Sequence, residues 1–268
     1  NAFTGKLLIT TNDTGVETDG DVAIDGGTTN LILGASTIDG ELALGSGGTI
    51  TDDGIATVKG TLTATTDASN GLITLNQLAV TGAVTLAPDG TGAVTIVNAA
   101  GLNLAASTMG GTFSGTATTG NIVDSGTLAI TGTTTLVTSA DDATITLDDT
   151  SNAFTGALTI TTNDSSGTDA DVTIDGGTTA LIIATSVIDG NLTLTSGAAA
   201  GITDTGNVTV AGNLIATTNA NSGVIDMGTL LVDGTMALTT DGTGDATIVN
   251  DDDIDFANST VRGALSAT

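Results

Sequence analysis

The sequence repeats itself, and that limits its folds more than any other feature does. Residues 1–13 read NAFTGKLLITTND and residues 152–164 read NAFTGALTITTND. The match continues from DVAIDGGTTNLILGASTIDG at residue 21 to DVTIDGGTTALIIATSVIDG at residue 171, with an offset near 151 throughout. The chain therefore reads as one segment, 1–268, with an internal duplication, 1–151 and 152–268, whose second unit is incomplete. A shorter, imperfect period lies inside each unit. Phrases such as LAVTG-AVTLA at 78–87, VTVAG-NLIAT at 208–217 and LLVDG-TMALT at 230–239 each place a glycine between two strand-like runs. Most phrase-ending glycines, among them Gly40, Gly60, Gly82, Gly190, Gly212 and Gly234, recur about every 20 residues or somewhat under twice that.

Between the glycines the apolar residues alternate, as at Leu42/Leu44, Ile73/Leu75, Val94/Ile96, Ile145/Leu147 and Leu192/Leu194. Period two over four to six residues is the mark of a half-buried strand, and no segment carries a sustained i, i+3, i+4 stripe. About a fifth of the chain is Thr, which favours the same structure. Hairpin turns of the Asn-Gly kind are scarce, Asn70-Gly71 being the only such dipeptide. A uniform Val/Ile/Leu/Ala core repeated along the chain suits coils stacking like on like. The expected fold is all-β: a parallel β-helix, or β-solenoid, with about 20 residues and three short strands per coil. At about 4.8 Å per coil, roughly 13 coils would make a rod roughly 60 Å long.

Composition narrows the function. The chain has 30 acidic residues against three basic ones, no His and no Cys, for a formal charge of −27, yet its mean hydropathy is +0.34. Disordered acidic chains lack that apolar content, so a buried core is expected. With only Lys6, Lys59 and Arg262 as cations, no nucleic-acid surface is expected. The residues for a Ser-His-Asp triad, a thiol nucleophile or an ordinary zinc site are missing. No apolar run reaches about 18 residues, so no helical membrane insertion is expected. The opening Asn1-Ala2-Phe3 lacks an initiator Met and a signal sequence, as a processed or excised piece of a longer protein would.

The pattern L-x-V-x-G-x-x-x-L-x-T, followed by I-x-L and N-x-F-x-G-x-L-x-I, can be read from Leu128 through Thr144-Ile145-Thr146-Leu147 to Asn152-Ala153-Phe154-Thr155-Gly156-Ala157-Leu158. It resembles the repeats of filamentous-haemagglutinin-type exoproteins and related autotransporter adhesins. That resemblance implies a right-handed parallel β-helix exported from a bacterium to serve as an adhesive or structural shaft. No Arg-Gly-Asp tripeptide or membrane-barrel pattern accompanies it.

The carboxylates are the remaining chemistry. Asp52-Asp53, Asp141-Asp142, Asp148-Asp149 and Asp251-Asp252-Asp253 supply pairs that a polysaccharide-active enzyme could use. Such enzymes also rely on aromatic platforms and on cationic or imidazole groups, which this chain nearly lacks. Calcium suits the donors better, because it takes six to eight oxygen ligands. Asp19, Asp21, Asp169 and Asp171, at equivalent positions of the two units, are the candidate metal ligands. No cofactor is required by the fold, and the plainer reading is an acidic surface screened by counterions. Thr-x-Thr runs, as at Thr193/Thr195, suggest an ice-binding face, but their irregular spacing argues against one register over many coils. Inward or corner ladders are expected of Asn70, Asn98, Asn219 and Asn250, and core or end positions of Phe3, Phe113, Phe154 and Phe256.

Together these features point to a non-catalytic shaft of a large secreted or cell-surface protein, an adhesin, surface layer or extracellular filament. Its expected partners are copies of itself end to end, with surface glycans or other cell-surface proteins. A β-helix enzyme and a calcium-dependent or ice-binding solenoid are the alternatives.

Overall fold

A computed structural model describes residues 1–12, 20–67, 70–165, 167 and 169–268. Among these residues there is no helix, and every strand pairing with an assigned register is parallel. The chain forms two compact units, residues 1–132 and 133–268. Each is a β-solenoid.

In the first unit one sheet is laid down by Val22–Asp25, Leu42–Ser46, Leu62–Thr66 and Val84–Ala87. Val22 pairs with Leu42, Leu42 with Leu62 and Leu62 with Val84, so each coil sets its strand directly on the last in nearly constant register. A second sheet holds Leu31–Leu33, Ile50–Asp52, Ile73–Val80, Val94–Asn98 and Phe113–Ala117. Short strands at the bend, Ser36–Ile38 and Ala56–Val58, pair with each other and then with the far half of Ile73–Val80. The second unit repeats the plan. Val172–Asp175, Leu192–Ser196, Leu214–Thr218 and Met236–Thr239 form one sheet, Val172 lying on Leu192, Leu192 on Leu214 and Leu214 on Met236. Leu181–Ile183, Ile202–Asp204, Ile225–Val232 and Ala246–Asn250 form the next, and Ser186–Ile188 and Val208–Val210 form the bend.

Alternation decides the core. Leu42, Leu62 and Val84 stack inward in one column and Leu44, Ala64 and Leu86 in the next, all within 2% of full burial. Phe113 and Phe154 are also buried, whereas Phe256 is 36% exposed. The phrase-ending glycines have a physical reason other than turn conformation. Gly60 N–H bonds to Gly40 O at 2.9 Å and Gly82 N–H to Gly60 O at 3.1 Å, so glycine lies on glycine from coil to coil. A Cβ on Gly82 would lie 2.3 Å from that oxygen. Gly190, Gly212 and Gly234 form the same column in the second unit. None of these six has positive φ; backbone proximity excludes a side chain.

The core also contains hydroxyls of a residue type expected on the surface. Thr66, Thr138, Thr218 and Thr240 are buried, and each donates to a corner carbonyl four or five residues on, at 2.8–3.1 Å. Thr134 differs: it is 1% exposed, faces Leu158 across the ladder, and its Oγ1 has no hydrogen-bond partner. A buried hydroxyl left unpaired costs about 1–3 kcal/mol. Thr134→Val keeps the shape and removes the unpaired group, so it should stabilise the protein by about 1 kcal/mol. A raised urea midpoint at unchanged slope is the expected reading.

Candidate functional site

Many acidic side chains at the corners accept backbone N–H groups. Asp25 and Asp175, equivalent in the two units, each accept the N–H of the glycine two residues on, at 2.7 Å. Asp204 accepts from Gly228 N, Thr229 N and Thr229 Oγ1, and so closes the bend in Ile225–Val232. Asp52 does the same for Gln77 N at 2.7 Å. Lys6 pairs with Asp53 at 3.2 Å, and Lys59 reaches the largely buried Asp39 at 2.5 Å.

The four predicted ligands are not one cluster. Asp19 lies outside the described residues. Asp21 accepts Glu41 N–H at 2.8 Å. Asp171 accepts both the backbone and the side-chain amide of Asn191, at 2.7 and 2.9 Å. That contact starts a corner ladder, since Asn191 Oδ1 takes both amides of Asn213, and Asn213 Oδ1 takes Thr235 N and Oγ1. Asp169 stands apart from the ladder, with its N–H on Asp164 Oδ2 at 3.1 Å.

Asp164 belongs to the one cluster of three acidic groups found among the described residues. Asp141 and Asp142 end one coil, Asp164 ends the next, and one carboxylate oxygen from each lies within 4.8 Å of the others. Asp141 accepts Ser165 N at 2.5 Å and Ser165 Oγ at 2.8 Å, and Asp164 Oδ1 accepts Gly167 N at 3.0 Å. Asp142 sits at φ +58°. Loss of water at the crowded carboxylate, and then the charges of Asp141, Asp164 and Asp169, raise the Asp142 pKa above its ordinary value of 3.8. Three convergent oxygens of this kind could contribute to the coordination of a hard cation. The sequence marked the Asp141-Asp142 pair but not Asp164, which is brought in from the next coil.

A raised carboxyl pKa has a definite consequence. The folded chain holds that proton more tightly than the unfolded chain, so stability falls as pH rises through the interval above the ordinary Asp value. At neutral pH the repulsion is fully present. Asp142→Asn keeps a residue tolerant of positive φ and removes the charge. It should raise the thermal midpoint at pH 7 in low salt, and the gain should vanish once pH drops below the ordinary Asp range. Midpoints measured against pH for both proteins would check this; a gain independent of pH would refute it.

In the second unit a shallow groove of about 300 Å³ crosses Leu231 and Val249, rimmed by Asn207, Thr229 and Asp251. No acid–base pair converges on it.

A family model described as repeats of unknown function matches residues 19–87 and again 91–161, together just over half of the chain. No curated protein and no solved structure matches the sequence.

Proposed function

This chain belongs to the family of repeats of unknown function DUF5649, and from that premise we propose that it is a non-catalytic structural shaft of a larger secreted or cell-surface protein. The observation that carries this reading is the use of the same coil-to-coil device in both units. Parallel ladders, stacked glycines and aliphatic columns recur at equivalent positions, and the corner carboxylates serve backbone N–H groups. Each coil contacts its neighbours alone, so length can be added without redesigning a core. The role is like that of the filamentous-haemagglutinin-type and autotransporter shafts that the repeats resemble. A polysaccharide-cleaving role has less support, because the chain lacks His, Trp and Tyr and only Asp251 among its acidic residues lines the groove of the second unit.

Copies of the chain are its first proposed partners. The −27 charge opposes side-to-side contact, so salt or millimolar calcium should increase bundling. Surface glycans and other cell-surface proteins are further partners of a displayed shaft, and calcium at Asp141, Asp142 and Asp164 would be an accessory, not a requirement.

Two measurements test this. Antibodies raised against residues 1–268 should label intact cells of the source organism; label seen only after lysis would overturn the surface assignment. Light scattering of the purified chain should show mass rising with protein concentration and again with salt. Monomers under all these conditions would end the filament reading.

A further inference from the structure

The threonine runs are irregular over the whole chain, but in the second unit several of them share one register. Thr195 pairs with Thr217, Thr217 with Thr239, and Thr239 with Thr260, so four threonines occupy one outward column on four successive coils. They stand 22, 22 and 21 residues apart along the chain. Beside this column runs another: Thr146, Thr173, Thr193, Ile215 and Ala237. Among these aligned positions Asp175 is the only charged residue, in a chain of 30 acids. Ile215, in the middle of the face, is 41% exposed. The counterpart columns of the first unit, Ala23–Ala43–Thr63–Thr85 and Asp25–Gly45–Thr65–Ala87, hold three threonines.

We propose that this face of the second unit, centred on Thr193, Thr195, Ile215 and Thr217, binds ice. Hydroxyls repeat at about 4.8 Å from strand to strand along the column of Thr195, Thr217, Thr239 and Thr260, and the pair Thr193/Thr195 adds a spacing of about 6.7 Å along a strand. Those two repeats are close to oxygen spacings on a prism face of ice. Threonine is stiff at χ1, so its hydroxyl and methyl hold their places before any water is ordered. The neighbouring corner is fixed too, by the Asp171–Asn191–Asn213–Thr235 ladder. A rigid, nearly uncharged array therefore loses little freedom on meeting an ordered water layer, which is what makes preorganised surfaces bind. The methyl groups of Ile215 and Ala237 leave no competing polar partner in their column. Crystalline polysaccharide would be the other flat, hydroxylated occupant. It is recognised largely through exposed aromatic rings; the chain has no Trp or Tyr, and neither column contains a Phe.

The test uses the full chain, residues 1–268, in ice-recrystallisation and thermal-hysteresis assays. The wild-type protein should slow recrystallisation and shape ice crystals. Thr217→Tyr, which adds bulk outward at the centre of the face, should lose that activity while its circular dichroism and thermal midpoint stay unchanged. Thr108→Tyr, on an exposed strand of the first unit, should keep it. A wild-type chain without effect on ice growth would overturn the proposal, as would Thr217→Tyr retaining full activity. So would wild-type binding to microcrystalline cellulose that Thr217→Tyr abolishes without any activity on ice, which would reassign the face to polysaccharide.

Discussion

Phe113→Ala is expected to destabilise the protein by about 3–5 kcal/mol, the range for removing a fully buried aromatic ring. The cost should lie at the upper end because the ring also fills its neighbour's space. Phe113 stacks on Val94 and Gly115 stacks on Ile96 in the same pair of strands. A Cβ on Gly115 would lie 2.8 Å from Phe113 Cζ and 3.1 Å from Leu102 Cδ2. One coil therefore fills its inner face with Val and Ile, and the next with Phe and Gly. With the ring gone, no other side chain of that strand can close the cavity. Gly115→Val alone should also destabilise, by about 1–3 kcal/mol from overpacking. The double substitution Phe113→Val with Gly115→Val reproduces the pattern of the neighbouring strand and should recover most of the loss. Urea denaturation of the two single variants and the double variant gives the coupling. Simple additivity would refute the shared-volume explanation.

Asn98→Ala should cost about 3–5 kcal/mol, because several buried backbone groups lose partners worth about 1–3 kcal/mol each. Leu78–Val80 pairs on one side with Ala56–Val58. On the other side the next coil provides no third strand, and the Asn98 side chain takes its place. Its Oδ1 accepts Val80 N–H at 2.8 Å, and its Nδ2 donates to Val80 O at 2.8 Å and Gly101 O at 2.6 Å. A side-chain amide thus stands in for a peptide group and ends the run of bend strands without orphaned donors or acceptors. Asn250 does the same for Val232, at 2.9 and 3.3 Å. Its bonds are longer and it is 8% exposed against 1% for Asn98, so Asn250→Ala should cost less. Asn98→Asp should fail to rescue, since a carboxylate has no N–H for Val80 O and adds a buried charge. Equal effects at the two positions, or rescue by Asp, would refute the peptide-surrogate role.

The alternation of Leu42/Leu44, Ile73/Leu75 and Leu192/Leu194 is sufficient to define strands and their inner faces, because a period of two leaves one arrangement that buries the aliphatics. The recurring glycines set the coil length in the sequence, although their reason, glycine stacked on glycine, emerges only from the stacked coils. Asn98 and Asn250 could be anticipated as backbone-satisfying residues, but not as the pieces that end a sheet. Thr66, Thr134, Thr138, Thr218 and Thr240 read as surface residues in the sequence, since β-branched polar side chains suit an outward strand position. They face inward because they fall on the inner parity of their strands, and in all but Thr134 a corner carbonyl is within reach.

The class of structure is legible without coordinates: strands from alternation, a solenoid from the repeat, and an acidic, aromatic-poor surface from composition. Which residues meet across coils emerges only on stacking. Asp164 joins Asp141 and Asp142 rather than Asp171, and Thr146 lies on Thr173, 27 residues on, which lies on Thr193, 20 residues on. The physical reason is that hydrogen bonding fixes register within strands, whereas corner length is nearly free, since lengthening a loop costs little. The long coil from Ile145 to Val172 therefore stacks as well as the shorter one from Val172 to Leu192. Separation along the chain does not reveal which side chains become neighbours.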